Sequence, residues 1–416
     1  MTTPPHAAAE PAQAGAPLGF IEFVALIAAL MALTALGIDS MLPALPAIGA
    51  ALGVERENER QFVISAFLIG FGIAQLVHGP LADRFGRRRV LIVALSGYVV
   101  ANLAAAMAQS FALLLAARFA GGLCISASRV VTVALVRDCY AGRAMARVMS
   151  LAFMVFMAAP VLAPSVGQAV LLFGDWRMIF VIIAAVTLVV LLWFAWRMPE
   201  TLPPERRLPL APARLFAAWR QVVQDRCSLG YTLASTALLG ALYGFINSVQ
   251  QIVAQLAGSD APLALVFLAI AGTMAVANLT NARIVVRLGT RRISHSALLV
   301  LVLVSALHFA IARAGAETLA SFVLLQALAM GCFGLATANF GAMAMERMGA
   351  IAGTASSVQG FVTVTAGAVL GALIGQAFDG TTVPLYLGFL VAGLGALMIV
   401  ALTEGGRLFR PSHPIG

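Results

Sequence analysis

From residue 18 to residue 404 the chain is a succession of apolar stretches, each long enough to cross a lipid bilayer as a helix. That pattern fixes the class of fold before any motif is considered. The stretches fall at roughly 18–43, 61–82, 90–109, 110–136, 149–172 and 177–197, and again at roughly 227–253, 262–282, 293–314, 318–341, 353–378 and 383–404. Twelve spans of ~21 residues use ~250 residues, in keeping with a 416-residue chain that is 61% hydrophobic and only 10% charged. A soluble protein of this length needs far more polar surface. The expectation is an all-α polytopic membrane protein with twelve transmembrane helices in two pseudo-symmetric six-helix bundles, 18–197 and 227–404.

Residues 1–17 carry no basic residue and so lack the start of a signal peptide. They read as a disordered cytoplasmic tail, and 405–416 as a second one. The linker, 198–226, opens with Pro199, Pro203, Pro204, Pro209 and Pro212. It then places Leu215, Phe216, Trp219, Val222 and Val223 on one helical face among Arg214, Arg220 and Arg226. A helix lying on the membrane and a plain linker helix both fit this pattern, and either makes the segment a hinge between halves.

All 26 basic residues are arginine. Without lysine there is no phosphate-binding loop of the GxxxxGK[ST] type and no Schiff-base chemistry, so the chain carries no ATPase of its own. The four cysteines, Cys124, Cys139, Cys227 and Cys332, have no ligand spacing and form no disulfide framework. No nucleophile and base constellation suggests an enzyme. Twenty arginines fall on one side of the spans. Only Arg56, Arg60, Arg177 and Arg313 fall on the other, while Arg118 and Arg129 lie inside. The positive-inside rule makes the first set cytoplasmic, with both termini. The net charge of +9 is then topological and calls for no nucleic acid.

The halves repeat. The loop after the second stretch reads Gly79-Pro80-Leu81-Ala82-Asp83-Arg84-Phe85-Gly86-Arg87-Arg88-Arg89. The loop after the eighth reads Ala282-Arg283-Ile284-Val285-Val286-Arg287-Leu288-Gly289-Thr290-Arg291-Arg292. Aligning Gly86 with Gly289 gives an offset of 203 residues, with Asp83 replaced by Val286. Two duplicated bundles with a cavity between them is a transporter plan.

The first of these loops resembles the signature cytoplasmic loop of the major facilitator superfamily. Asp39-Ser40-Met41-Leu42-Pro43-Ala44-Leu45-Pro46, Gln75, Arg118-Phe119, Arg137-Asp138, Pro160-Val161-Leu162-Ala163-Pro164-Ser165-Val166-Gly167, Trp176-Arg177 and Gly353-Thr354-Ala355-Ser356 resemble its bicyclomycin/chloramphenicol resistance (Bcr/CflA) branch of drug:proton antiporters. Gly121 and Met41 depart from that branch, which has glutamine and tyrosine there. The resemblance implies alternating access driven by the proton gradient, with no cofactor.

Charges within spans are costly and default to function. Asp39 and Arg118 both fall in the outer part of their spans, and in related transporters such an arginine lines the cavity and pairs with an acid in the first span. Burial and an adjacent guanidinium act in opposite senses on a carboxyl's proton affinity. Proton coupling through Asp39 and Arg118 is therefore one expectation, and a purely structural ion pair the other. Arg129 follows Arg118 by eleven residues, which at ~100° per residue returns it to the same face, with Gly122 and Ile125 between leaving room above the helix. It either reaches the cytoplasmic surface or binds an anionic substrate group.

In the second half Tyr243, Asn247 and Gln251 form a polar stripe at i, i+4 and i+8. The stripe faces the cavity or bonds a neighbouring helix. His308 and His78 read as packing or interhelical bonding. Gly79, Asp83, Arg84, Gly86 and Arg87 form a gating loop, with Asp83 expected to face the start of the eleventh span near Gly353. Pro160, Pro164 and Gly167 suit a rocking interface, and Gly367, Gly371 and Gly375 a close-packing face.

The functional expectation is a monomeric, proton-coupled exporter of small amphipathic compounds in a bacterial inner membrane, whose partners are substrate, protons and lipid. A transporter of an organic anion or endogenous metabolite is the alternative. A membrane sensor or scaffold would need a soluble domain or an extended loop, and neither is present.

Overall fold

The computed structural model describes residues 17–140, 142–207, 212–259, 262–348 and 351–409, with some side chains in 142–161, 206 and 212–218 left aside. The expected N-terminal tail, the side chain of Pro160 and the chain end beyond 409 lie outside what is described. The described residues form fourteen α-helices and no strand: α1 (Phe20–Asp39), α2 (Leu45–Ala51), α3 (Phe62–Phe85), α4 (Arg87–Ala106), α5 (Phe111–Cys139), α6 (Gly142–Leu171), α7 (Trp176–Arg197), α8 (Pro212–Gln224), α9 (Arg226–Ala257), α10 (Leu263–Leu288), α11 (Thr290–Arg313), α12 (Leu319–Met345), α13 (Ala352–Gln376) and α14 (Val383–Thr403).

Among the described residues, eleven helical stretches are long and apolar enough to cross a membrane. The 30-residue α6 occupies the fifth place, completing twelve. The first span is two helices in series, because Pro43 and Pro46 interrupt α1 and pass the chain through a short 3-10 turn into α2. The other spans begin at side-chain caps where the sequence supplies them. Ser110, Asp175 and Asp225 accept from free backbone N–H groups of α5, α7 and α9, and Thr318 forms a capping box with Ser321 on α12.

Helices α1 and α3–α7 pack as one bundle and α9–α14 as the other. The 203-residue repeat is written into the backbone. Gly86 lies at φ 97°, ψ 152° between α3 and α4, and Gly289 at φ 80°, ψ 153° between α10 and α11, a region open only to glycine. An arginine just beyond each glycine ties three elements together on this basic face. Buried Arg87 binds Asp83 and, at 3.2 Å, Asp138. Buried Arg291 binds Glu346 at 3.2 Å and Glu404 at 2.8 Å, and Glu404 also accepts from the Tyr231 hydroxyl.

The halves differ in one respect that the repeat does not show. Glu200, just beyond α7, turns back to accept from the backbone N–H groups of Arg87 at 2.8 Å and Arg88 at 3.2 Å. It thereby occupies the positive N-terminal end of α4. Gly86 is packed directly against this carboxylate, whereas nothing lies within 4 Å of where a side chain would start at Gly289.

Two seams join the bundles, α3 against α13 and α6 against α10. Along the first, small residues alternate sides: Gly72 faces Thr365, Gly360 faces Gln75, and Gly79 faces Ser357. At the face opposite the arginine-rich loops, the far face, the seam ends in a set of amide bonds across the halves. Asn58 donates to the carbonyls of Gln376 (3.1 Å) and Phe378 (2.7 Å), and Gln376 donates back to the Asn58 carbonyl at 2.6 Å. Gln61 donates to Gln251 at 2.7 Å and to the Gly375 carbonyl at 3.2 Å, while Gln251 donates to the Asn58 side chain at 3.0 Å.

The linker forms the expected helix, α8, and its apolar face is partly docked. Its Val222 is buried against Met348, Ala355 and Val358, with Leu76 of the first bundle packed on the same cluster, and the Trp219 ring lies 5.6 Å from that of Phe361. Phe216 and Val223 remain exposed. The apolar face is thus divided. One edge docks on the α3–α13 seam, because the basic-face end of that seam offers an apolar socket, and the other edge is left exposed.

Two outcomes follow. Gly289→Ala is expected to cost about 1–3 kcal/mol from backbone strain. Gly86→Ala should cost about 1 kcal/mol more because it also displaces Glu200 from its N–H groups, so its melting temperature in detergent should be the lower of the two. Asn58→Ala removes three cross-half side-chain bonds at about 1 kcal/mol each, which should raise the far-open population at least tenfold. Electron–electron resonance between spin labels at the exposed positions 55 and 379 would show a longer-distance component.

Candidate functional site

The break after α1 creates the interior site. Where the helix ends, its last carbonyls lose their usual partners. The Gly37 carbonyl is claimed by the Arg118 guanidinium at 2.8 Å, and the Arg118 Nε donates to the Val63 carbonyl at 3.1 Å. Arg118 is buried and lies over the ring of Phe67 at 4.3 Å, with Phe180 at 5.8 Å. Aromatic faces and carbonyl oxygens thus supply the negative potential that stabilises this cation. Gly37 has no side chain because the Tyr98 hydroxyl occupies that space.

Asp39 is the final residue of α1 and is buried. One of its carboxyl oxygens has no hydrogen-bond partner. The expected ion pair with Arg118 is not formed: among the described residues no ion pair involves either side chain. The physical reason lies two residues upstream. Arg118 is already engaged by the backbone at Gly37 and Val63, and the Asp39 carboxyl stays outside that cage. Ser40, next in the chain, donates to the Leu36 carbonyl at 2.7 Å and secures the turn, and Gly167 of α6 packs directly on the Ser40 carbonyl and Pro43. The role expected for Gly167, a rocking contact, thus falls against the Asp39 turn. Pro164 is buried on the same helix, and α6 runs on through both prolines as one helix.

Arg129 lies eleven residues beyond Arg118, about 16 Å along the same face of α5. The interval is filled differently from the expectation. Gly122 packs on the backbone of Phe67 and Phe71, Ile125 is fully buried, and Gly70 of α3 packs reciprocally on Phe119. These small residues draw α3 and α5 together and leave no room above the helix. Arg129 itself is exposed. Tyr243 of the opposite bundle is buried and within electrostatic reach of both Arg129 and Asp39.

The stripe on α9 divides in the same way. Tyr243 backs onto Gly371 and is buried within the bundle, Asn247 backs onto Gly375 and reaches Ser65 at 3.5 Å, and Gln251 belongs to the far-face amide set. One member serves the interior and two serve the contact between bundles. Gly367, Gly371 and Gly375 form the close-packing face expected of them, against Leu239, Gly240, Tyr243, Gly244 and Asn247.

In the basic-face loop, Asp83 is held by Arg87, and it is the Arg137 guanidinium that approaches Gly353. Arg84 is exposed over Phe85. His78 lies 3.4 Å from the Ser126 hydroxyl, and His308 pairs with Glu317 at 2.7 Å, its ring stacked on Tyr386. Both histidines bond between elements, as expected, and neither adjoins Asp39. No group of three metal-ligating side chains occurs among the described residues.

Several residues that shape the site were not singled out in the sequence. Tyr98, Phe67 and Phe180 surround Arg118, Asn58 and Gln61 close the far face, and Glu200 caps α4. The lone aromatic of the third span was a readable signal for Tyr98. Two amides just before the second span were a readable signal for the far-face set.

The family model described as Major Facilitator Superfamily matches residues 27–372. The MFS-type transporter YdgK of Bacillus subtilis is 29% identical over 375 residues, 89% of this chain and 92% of that one. The bicyclomycin resistance protein homolog of Haemophilus influenzae is 27% identical over 369 residues, 88% and 90% of the two chains. The partially occluded, inward-open structure of the xylose transporter XylE from E. coli aligns with a TM-score of 0.72 over 95% of this chain and 99% of that one, at 13% identity. The twelve-helix double bundle, its glycine-marked repeat and the charged interior of the first half are accounted for together: the chain belongs to the major facilitator superfamily, and it is a transporter rather than an enzyme.

Proposed function

We propose that this transporter exports small amphipathic compounds in exchange for protons, by alternating access, with Asp39 as the proton-carrying group. The observation that carries the reading is the state of that carboxyl. It is buried at the end of an interrupted helix, and one of its oxygens is unpartnered. A buried charge without a partner is costly, so a proton arriving at or leaving Asp39 changes the energy of whatever arrangement surrounds it. Arg118 does not neutralise the carboxyl. It fixes the backbone of the turn on which the carboxyl sits, and is a positioning residue.

The resemblance to a bicyclomycin resistance homolog supports an exported, drug-like substrate. The proton gradient is the only driving force required, and no cofactor is called for. In this reading the arginine-rich face is cytoplasmic under the positive-inside rule, and the protein acts as a monomer on substrate and protons in a bacterial inner membrane. The far-face amide set and the basic-face end of the α3–α13 seam are then the two gates, Gly79 against Ser357 being the close-approach point of the second, while the clusters around Arg87 and Arg291 hold each bundle rigid beside it.

One observation favours an anionic group on the substrate. Arg129 is exposed and makes no hydrogen bond or ion pair among the described residues, unlike Arg118 on the same face. A guanidinium so placed is suited to a carboxylate or phosphate.

Reconstituted in proteoliposomes, Asp39→Asn is expected to abolish substrate movement driven by a pH step while leaving downhill substrate exchange. Uptake that still follows the pH step at the wild-type rate would remove Asp39 from the mechanism. Arg129→Gln should raise KM about tenfold for anionic compounds, a loss of ~1.4 kcal/mol, and leave neutral ones such as bicyclomycin near the wild-type value. An equal rise for both would mean that Arg129 shapes the cavity without recognising charge.

A further inference from the structure

On the basic face, away from the space between bundles, Arg88, Arg89, Trp196, Arg197, Glu200 and Arg207 line one open groove between the start of α4 and the end of α7. Two of the arginines are committed. Arg88 donates to the carbonyls of Met198 (2.8 Å) and Ala195 (2.6 Å), and Arg197 grips Glu22 through two bonds of 2.7 Å. The other two are available. Arg89 is exposed with no hydrogen bond or ion pair among the described residues, and the Nε of Arg207 is buried without a partner. Both carboxylates are engaged, Glu22 by Arg197 and Glu200 by the N–H groups of α4. The groove therefore presents an excess of positive charge with unmet donors.

The surface beneath the groove is apolar along both helices. Val93 and Val100 follow Arg89 on one face of α4 and are 72% and 65% exposed. On α7, Leu192 and Val189 follow Trp196 toward the far face and are 60% and 65% exposed, and Trp196 itself is 88% exposed. A tryptophan at the last turn of a span occupies the level where lipid headgroups meet acyl chains.

We propose that this groove is a binding site for an anionic phospholipid. Its phosphodiester is held by Arg89 and Arg207, and its acyl chains lie along the Val93/Val100 and Leu192/Val189 ridges. Guanidinium forks match phosphate oxygens, and basic pockets between spans on the arginine-rich side of a membrane protein attract anionic headgroups. A free phosphate would use the arginines but gain nothing from the apolar ridges, and a zwitterionic lipid would use the ridges but bring no net charge to the arginines. The site is separate from Asp39 and Arg129 and does not depend on the proposed transport reaction.

The test is native mass spectrometry of the full chain in detergent, titrated with phosphatidylglycerol or phosphatidylcholine of identical acyl chains. The first phosphatidylglycerol is expected to bind at least tenfold more tightly than phosphatidylcholine. Arg89→Gln, a change at an exposed and unpartnered side chain, should weaken phosphatidylglycerol about fivefold, and Arg89→Gln with Arg207→Gln roughly twenty-five-fold, at about 1 kcal/mol per arginine. The charge-matched pair Arg283→Gln and Arg292→Gln, exposed on the same face of the other bundle, should leave the affinity unchanged. Millimolar inorganic phosphate should not displace the lipid. Equal binding of the two lipids, a loss of the same size in the distant pair, or displacement by inorganic phosphate would each overturn the proposal.

Discussion

The contact on which the interior depends is a hydrogen bond from a side chain to the backbone. In a bilayer every broken helix must have its freed carbonyls satisfied by protein, and the first span is broken after Asp39 by prolines at 43 and 46. Arg118 meets that requirement at Gly37, and the aromatic rings of Phe67 and Phe180 make the cation tolerable there. The same bond that repairs the helix end withholds Arg118 from the carboxyl two residues later. Asp39 is left with a free oxygen because its natural counter-charge is occupied by the backbone. The fold creates this condition deep in the first bundle, and a proton can relieve it.

The second half shows what the duplication kept and what it gave up. The glycine turn, the buried arginine beyond it and the acids at the ends of neighbouring spans recur as Gly86, Arg87, Asp83 and Asp138, then as Gly289, Arg291, Glu346 and Glu404. These clusters hold helix ends together at the membrane surface, a task both bundles share. The interior break with its acid and arginine has no counterpart among the described residues of the second bundle. That bundle instead contributes the phenol of Tyr243 and the amides of Asn247 and Gln251. The halves are alike where they must be rigid and unlike where charge is handled.

Hydropathy made the spans legible, since burial in lipid leaves no other option for such stretches, and the offset of 203 residues predicted a shared turn that the φ angles of Gly86 and Gly289 display. What sequence could not supply was reach. Arg118 and Asp39 share a depth, but whether a guanidinium finds a carboxyl or a carbonyl depends on ångström-scale placement of the α1 turn. Periodicity identified the apolar face of α8 without saying what covers it, and the answer proved to be the α3–α13 seam along one edge only. Gly122 looked like space because it lacks a side chain. In the packed structure that absence admits the backbone of α3, which is the commoner use of glycine between membrane helices. Glu200 lay in a proline-rich linker where local pattern predicts no contact with the start of α4.

The two ends of the α3–α13 seam differ in how they resist separation. At the far face the bundles are joined by amide hydrogen bonds between Asn58, Gln61, Gln251 and Gln376, which are directional and are lost together once the helices part. At the basic face the seam is closed by small-residue contact at Gly79 and Ser357 and by the apolar docking of Val222 and Trp219. Such contact weakens with distance but carries no set of bonds to break. Opening toward the arginine-rich side can therefore proceed by degrees, whereas opening toward the far side must cross a concerted loss of amide bonds. Asp39 lies nearer the far face, beside the end of the first bundle that this loss would release. On the proposed mechanism, a change of charge at that carboxyl would then bear on the end whose opening is concerted, where a modest energy decides between two states and not among many.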